Sequence, residues 1–290
     1  MANLKELRNK IGGIQSIRKV TSAMKLVAGV KFRKAEQRAL ASREYAQEIS
    51  KILRSINRDR LDKSYDLLDG RSEIKSELII IFASDRGFCG NFNYLLSKEM
   101  KSQAEVIQKA GKRLKIVCVG KKLSNAMSSL VADSCDFKFL DDFYRNDQMF
   151  DNAMNLSSDV VKRFVSGEVD KVSVVFTHFY SPVKMEVKKQ DLVPLNYEIS
   201  EDCTEMIFEP SLEEVLNELL TRNVGIQLYQ AALESMASEQ SSRMSSMDNA
   251  TRNADDMLSD LTIRYNRTRQ QGITQELVEV VAGADAIANE

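Results

Sequence analysis

From Leu219 onward, side chains suited to burial recur in steps of three and four. They are Leu219, Asn223, Ile226, Gln230, Leu233, Ala237, Gln240, Met244, Met247, Thr251, Ala254, Leu258, Leu261, Tyr265 and Thr268. Strict 3-4 alternation is the pattern of a coiled-coil seam rather than the wider apolar stripe of a globular helix. No proline interrupts Ser211 to Glu290, so the stretch is predicted as one helix, roughly 115 Å long at about 1.5 Å per residue. A domain of the size this chain can build is about 30 Å across. Most of the helix is therefore expected to stand clear of any domain. Residues 1–60 also lack proline and predict a second long helix. Its apolar positions are Leu4, Leu7, Ile11, Ile14, Ile17, Val20, Met24 and Val27, then Phe32, Ala35, Ala39, Ala46, Ile49, Ile52 and Ile56. The excess of threes between Ile11 and Val20 departs from the heptad and predicts altered supercoiling there. Gly12, Gly13 and Gly29 each cost a helix about 1 kcal/mol relative to Ala, and are expected to allow close backbone approach or a bend.

Between the helices the period changes. Residues 61–76, with Asp69-Gly70 and mixed charge, read as a linker. Leu78 to Ala83 is a short, continuous apolar run, as in a strand buried on both faces. A loop follows over Ser84 to Asn91, then a helix to about Ala110, a strand over Lys115–Val119 and a helix over Lys121–Val131. Phe137–Leu140 is a short candidate strand, Asp147–Ser166 a helix and Lys171–Tyr180 the longest strand, with Lys184–Lys189 as its hairpin partner. Strand and helix alternation predicts a small α/β domain over 77–190 with a mainly parallel sheet. All three prolines, Pro182, Pro194 and Pro210, fall between 182 and 210. Residues 191–210 are the return segment, and Pro210 precedes a helix start with Glu213 and Glu214 in its first turn.

The long helices flank one domain, so they can pair only as antiparallel partners. With residue 60 level with residue 211, paired numbers sum to about 271, and Met1 falls opposite Gln270. Residues 271–290 then project alone. An isolated helix of that length is marginal in water, yet this tip has no Lys or Arg. It carries Ile273, Leu277, Val278, Val280, Val281, Ala282, Ala284, Ala286, Ile287 and Ala288 around most of its circumference. A helix apolar nearly all round is a buried helix, so Ile273, Leu277, Val280, Val281 and Ile287 are expected to seat in a socket made by another protein. Glu276, Glu279 and Asp285 argue against a membrane as that home.

The net charge of −1 hides an asymmetry that fits this pairing. Residues 1–60 carry fifteen Lys/Arg against five Asp/Glu, whereas residues 211–290 carry six against thirteen. Without Trp and with charged residues at 29%, the chain leans toward long solvated helices rather than a compact enzyme. The four cysteines, Cys89, Cys118, Cys135 and Cys203, show no C-x-x-C spacing, so neither a disulfide framework nor a metal site is expected. The sequence reads as a protein of a reducing compartment without a signal peptide or membrane span.

Candidate chemistry is sparse. The loop Ser84–Asn91 lies between strand and helix, where phosphate-binding loops occur. Its Gly87 and Gly90 match neither phosphate-loop spacing, and a tight structural turn is the favoured use. His178, the single histidine, lies in an apolar strand and is expected to be a satisfied strand residue rather than a general base. Cys89 is noted as a candidate reactive thiol with nothing nearby to mark it as a nucleophile. The pairs Asp141-Asp142 and Asp255-Asp256 read as solvated. The basic first helix lacks the interleaved aromatics of a nucleic-acid surface. No catalytic residue and no cofactor are assigned.

Three stretches together resemble the gamma subunit family of rotary ATP synthases. The first runs Ile11-Gly12-Gly13-Ile14-Gln15-Ser16-Ile17-Arg18-Lys19-Val20-Thr21-Ser22-Ala23-Met24-Lys25-Leu26-Val27-Ala28. The second is Ser84-Asp85-Arg86-Gly87-Phe88-Cys89-Gly90-Asn91-Phe92-Asn93. The third comprises Ala237 to Met247 and Tyr265-Asn266-Arg267-Thr268-Arg269-Gln270-Gln271-Gly272-Ile273-Thr274-Gln275-Glu276-Leu277. Residues 185–209 match only loosely. The chloroplast dithiol insertion is absent, which together with the lack of a leader points to a bacterial form. The resemblance implies an antiparallel coiled coil of the N- and C-terminal helices plus a small Rossmann-like α/β domain. It implies a rod inside a ring of alpha and beta subunits, and a domain against the epsilon subunit and the membrane c ring, on the cytoplasmic face of the inner membrane. Proton flow would turn the rod. It implies rotor–stator and coupling positions at Met24, Arg243, Arg269, Gln270, Thr274 and Glu276, and a foot near the c ring at Phe208 and Glu209. The competing readings are a nucleotide-binding α/β domain with a coiled-coil tether arm, and a chaperone-like or nucleic-acid-binding helical arm. An apolar free carboxyl end favours the rotor over both.

Overall fold

The computed structural model describes residues 2–56, 66–71, 73–130, 135–144, 148–181, 184–195, 209 and 211–288. The elements run α1 (Ala2–Ser55), α2 (Asp66–Asp69), β1 (Ser76–Phe82), α3 (Phe92–Lys109), β2 (Arg113–Val119) and α4 (Lys121–Leu130). Then come β3 (Cys135–Leu140), α5 (Met149–Val165), β4 (Lys171–Phe179), β5 (Met185–Val193) and α6 (Leu212–Ala288). The chain divides into two compact units, one of residues 29–242 and one of residues 1–28 with 243–290.

The larger unit is built on a five-stranded sheet in the order β3-β2-β1-β4-β5. β1 pairs in parallel with β2 and β4, and β5 closes the sheet as an antiparallel hairpin partner of β4. The apolar run of β1 feeds two cores because alternate strand residues face opposite sides. Leu78, Ile80 and Phe82 pack with Ala39, Ile49 and Leu53 of α1, Ala153 and Phe164 of α5, and Leu216 to Leu233 of α6. Ile79 and Ile81 pack with Leu96 and Met100 of α3 and Leu123 and Met127 of α4. The first thirty residues of α6 are thus domain core. Its length reflects this double use: Leu220, Val224, Leu228, Ala232 and Leu233 are fully buried in the domain. Burial of each of the leucines and the valine contributes about 1.5–3 kcal/mol, so this segment is anchored far more strongly than a two-helix seam could anchor it. β5 continues to Val193, beyond the expected hairpin partner, and Leu192 and Val193 lie in the core.

Two backbone constraints hold the sheet's ends. Gly120, just after β2, has φ +110°, and a Cβ there would lie 2.4 Å from the Ala83 carbonyl oxygen. At the other end, Asp170 gathers the start of β1. It accepts from the Arg71 guanidinium at 2.8 Å, from the backbone N–H groups of Lys75 and Ser76, each at 2.9 Å, and from the Ser76 hydroxyl at 3.0 Å. Burial pushes its carboxyl up, but these four donors outweigh it and hold the pKa at about 2.

In the smaller unit α1 and α6 run antiparallel. On α6, Met247 and Ala254 are buried and Thr251, Leu258, Leu261, Tyr265 and Thr268 half-buried, while their neighbours are largely exposed. The α6 seam is the one read from the sequence. The α1 seam differs between Ile14 and Ala28. In this unit it runs Leu4, Leu7, Ile11, Ile14, Arg18, Thr21, Lys25 and Ala28; in the larger unit Ala35, Ala39, Ile49 and Leu53 of α1 and Ile56 just after it are buried, with Phe32, Ser42 and Ala46 half-buried. Ile17, Val20 and Val27 are 52%, 58% and 57% exposed and lie off the seam. Each step of three turns a helix position back by about 60°, so the run of threes leaves the partner, and polar residues take the seam positions. Gly12 and Gly13 have open space within 4 Å of an added Cβ, so close approach does not explain them.

Two outcomes follow for stability. Gly120→Ala should lose at least about 3 kcal/mol, since strain at positive φ and a backbone clash combine, and urea unfolding of the larger unit's sheet measures it. Asp170 has a folded pKa below its ordinary 3.8, so its stabilisation is complete above about pH 4 and disappears as pH falls toward 2. Asp170→Asn should remove on the order of 2 kcal/mol at neutral pH and flatten that acid limb of the stability profile.

Candidate functional site

The residues of interest fall in three places, each within one unit. In the smaller unit, cross-helix bonds set the register of the two helices. Thr251 Oγ1 donates to Thr21 Oγ1 at 2.8 Å, Lys25 Nζ pairs with Asp248 at 2.6 Å, and Arg18 pairs with Asp255. These pairs sum to 272 or 273, against the 271 expected. Asp255, read as solvated, is instead a cross-helix partner. Asp248 also receives Arg252 one turn away, and its pKa is lowered by the Lys25 hydrogen bond and the Arg252 charge against desolvation. Such exposed pairs add little stability individually; they specify register. Met24 is half-buried beside this row, opposite residues 248–249, and Arg243 is buried at 8% exposure. Sequence reasoning missed Thr21 and Thr251 as a bonded pair, because a hydroxyl at a seam position gives no apolar signal.

The α6 seam fades at Thr268 and Gly272. Beyond that point the helix continues to Ala288, and residues 273–284 are exposed on every side. Ile273, Leu277, Val280 and Val281 are more than half exposed. The side chain of Ile287 lies outside the described residues. Arg269, Gln270, Thr274 and Glu276 are also exposed and cluster at the point where the partner helix ends. Phe208 of the expected foot lies outside the described residues, and Glu209 is exposed.

The third place is the carboxyl edge of the sheet in the larger unit. The chain order reverses between β1 and β4, and an open α/β sheet binds ligands in the crevice at such a reversal. Here α6 fills it. Ser235 Oγ donates to the Phe82 carbonyl at 2.8 Å and Ser238 Oγ to the Thr177 carbonyl at 3.0 Å. Beside them the loop Ser84–Asn91 is closed on itself. The Ser84 N–H donates to Asn93 Oδ1 at 3.2 Å, Asn93 Nδ2 donates to the Ser84 hydroxyl at 2.7 Å, and the Ser84 carbonyl accepts the Lys122 N–H. Cys89 is 2% exposed and receives Asn93 Nδ2, while Phe88 at φ 63° turns outward. The loop is a structural turn with a buried thiol. Burial alone pushes the neighbouring Cys118 thiol up to about 12. His178 Nδ1 is bonded to Glu234 of α6, which also meets Arg43 of α1 at 3.3 Å, and the His178 ring packs edge-on against Tyr180. The histidine is thus a satisfied strand residue. Ser235, Ser238 and Glu234 were not singled out by sequence, since serines inside a helix resemble solvated positions. Among the described residues no group of His, Cys, Asp and Glu could hold a metal ion, and no helix is long and apolar enough to cross a membrane.

Comparison with known proteins places this arrangement. A family profile described as ATP synthase matches residues 3–287. The ATP synthase gamma chain of Fuscovulum blasticum is 38% identical over 291 residues, covering 99% of this chain and all of that one. That of Dinoroseobacter shibae is 39% identical over 295 residues with the same coverage. Among solved structures, a chain of the Euglena gracilis mitochondrial ATP synthase superposes with a TM-score of 0.66 at 17% identity, covering 99% of this chain and 95% of that one. A chain from the Tetrahymena thermophila mitochondrial ATP synthase central stalk and c ring gives 0.60 at 24% identity, covering 80% and 99%. With a coiled-coil seam on α6, a sheet whose crevice its own helix fills, and end-to-end identity to these relatives, the chain belongs to the ATP synthase gamma chain family.

Proposed function

We propose that this chain is the central-stalk rotor of an ATP synthase, carrying rotation of the membrane c ring to the catalytic beta subunits. The observation that carries this reading is the bare apolar end of α6. Water does not favour an isolated helix with apolar side chains on all sides. Residues 273–284 carry apolar side chains around most of the helix and are exposed in the chain alone. They fit a bearing lined by the alpha and beta subunits. Arg269, Gln270, Thr274 and Glu276 lie at its mouth, where polar side chains can meet the ring as it is passed. Met24 and Arg243 form a second contact level lower on the coil. The off-seam stripe Ile17, Val20 and Val27 gives α1 an apolar surface toward the same ring. Rotation of one asymmetric rod changes which beta subunit meets which face. Site affinity follows, because a rod can shift a subunit's conformation only through contacts that differ between its states.

The foot would lie on the larger unit, with Glu209 and Phe208 toward the c ring and the epsilon subunit nearby, on the cytoplasmic face of a bacterial inner membrane. Catalysis belongs to other subunits in this reading. The crevice that would serve a nucleotide is occupied by Ser235 and Ser238, which disfavours the tether-arm alternative.

Truncation after Gln271 should leave the sheet domain folded by circular dichroism and weaken assembly with the alpha–beta ring or lower coupled ATP synthesis. Unchanged assembly together with unchanged coupling would remove the bearing. The isolated chain should bind no labelled ATP in equilibrium dialysis, and stoichiometric tight binding would restore the nucleotide-domain reading.

A further inference from the structure

We propose that Ser235 and Ser238 are the torsional key that fixes α6 against turning about its own axis in the sheet domain, an inference resting on the rotor reading above. Burial of an apolar face opposes large turns of a helix, but it is non-directional and sets the angle less sharply than a hydrogen bond does. Hydrogen bonds have preferred directions, so a helix that must deliver torque needs them where it meets its mount. α6 has them in one short span. Ser235 and Ser238, 1% and 0% exposed, donate to main-chain carbonyls at the ends of β1 and β4. Those acceptors belong to the rigid sheet, not to flexible side chains, and the two strands flank the point where the chain order reverses. A small hydroxyl brings the helix backbone close to the strand ends, and a larger side chain at either position would hold it away.

Neighbouring groups extend the span along the same face of the helix. Gln227 accepts from Gln190 of β5 at 2.8 Å, Gln230 donates to the Ser42 carbonyl of α1 at 3.2 Å, and Glu234 joins His178 and Arg43. These involve longer side chains, some of them exposed, and yield more readily. The two serine bonds are the stiff members. Their loss would leave the Phe82 and Thr177 carbonyls buried without those donors and let the helix rock.

The test uses the complete ATP synthase containing this chain, immobilised by its catalytic ring, with Cys135→Ser, Cys203→Ser and an optical probe on Lys109→Cys of α3. The readout is the angular spread within each ATP-driven dwell. In Ser235→Ala/Ser238→Ala the junction's share of the variance should rise about twofold if the two bonds carry half of the junction's stiffness, so the total variance rises by up to that factor. Ser235→Cys/Ser238→Cys, near in volume but a weak donor, should rise likewise and serves if the alanine pair fails to assemble. Leu156→Ala, which opens a cavity in the same core, should lower thermal stability without widening the dwells. Native-width dwells in the assembled serine variants, or equal widening in Leu156→Ala, would overturn the key. A native complex that does not turn with ATP removes the rotor reading itself, and the key with it.

Discussion

Burial of α6 against the carboxyl ends of β1 and β4 is the interaction on which the larger unit depends. In most open α/β sheets that edge stays free and receives a ligand. Here the chain's own helix reaches it, after Leu220, Val224, Leu228 and Leu233 have packed in the core along the sheet face, and Ser235 and Ser238 make the directional bonds to the strand ends. A domain that looks built to bind a nucleotide thereby becomes a mount for a helix. The same feature accounts for the bond from His178 to Glu234, which lies along the edge that α6 covers.

The seam beyond Arg243 works on a smaller margin. Its buried members are small or flexible, with Ala28, Ala254 and Met247 in place of the leucines found in the domain. Small side chains bring helices close but bury little area, so the stabilisation per turn is modest. Register then falls to polar pairs: Thr21 with Thr251, Lys25 with Asp248, Arg18 with Asp255. A rod of this kind is specified more than it is stabilised, which suits a part that gains further burial only within an assembly.

Charge follows the same logic. The basic excess of α1 and the acidic excess of α6 meet in these cross-helix pairs, but most of the lysines and arginines of α1 remain exposed. Pairing within the chain therefore accounts for part of the asymmetry, and an acidic surface on a partner subunit can use the rest.

Much was determined by sequence alone. The 3-4 alternation from Leu219 to Thr268 set the α6 seam, the change of period at Leu78 marked the sheet, and the arithmetic of two antiparallel helices placed the end of the pairing within a few residues of Gln270. These are local properties, fixed by helix and strand periods that depend only on near neighbours. Between Ile14 and Ala28 the face of α1 that meets α6 was not legible, since Ile17 and Val20 advertise a stripe that the heptad cannot keep against a partner. Nor was the role of Ser235 and Ser238, whose acceptors lie 153 and 61 residues away in the chain. Only the folded sheet brings those carbonyls to the helix, and a period along one segment carries no information about what stands opposite it.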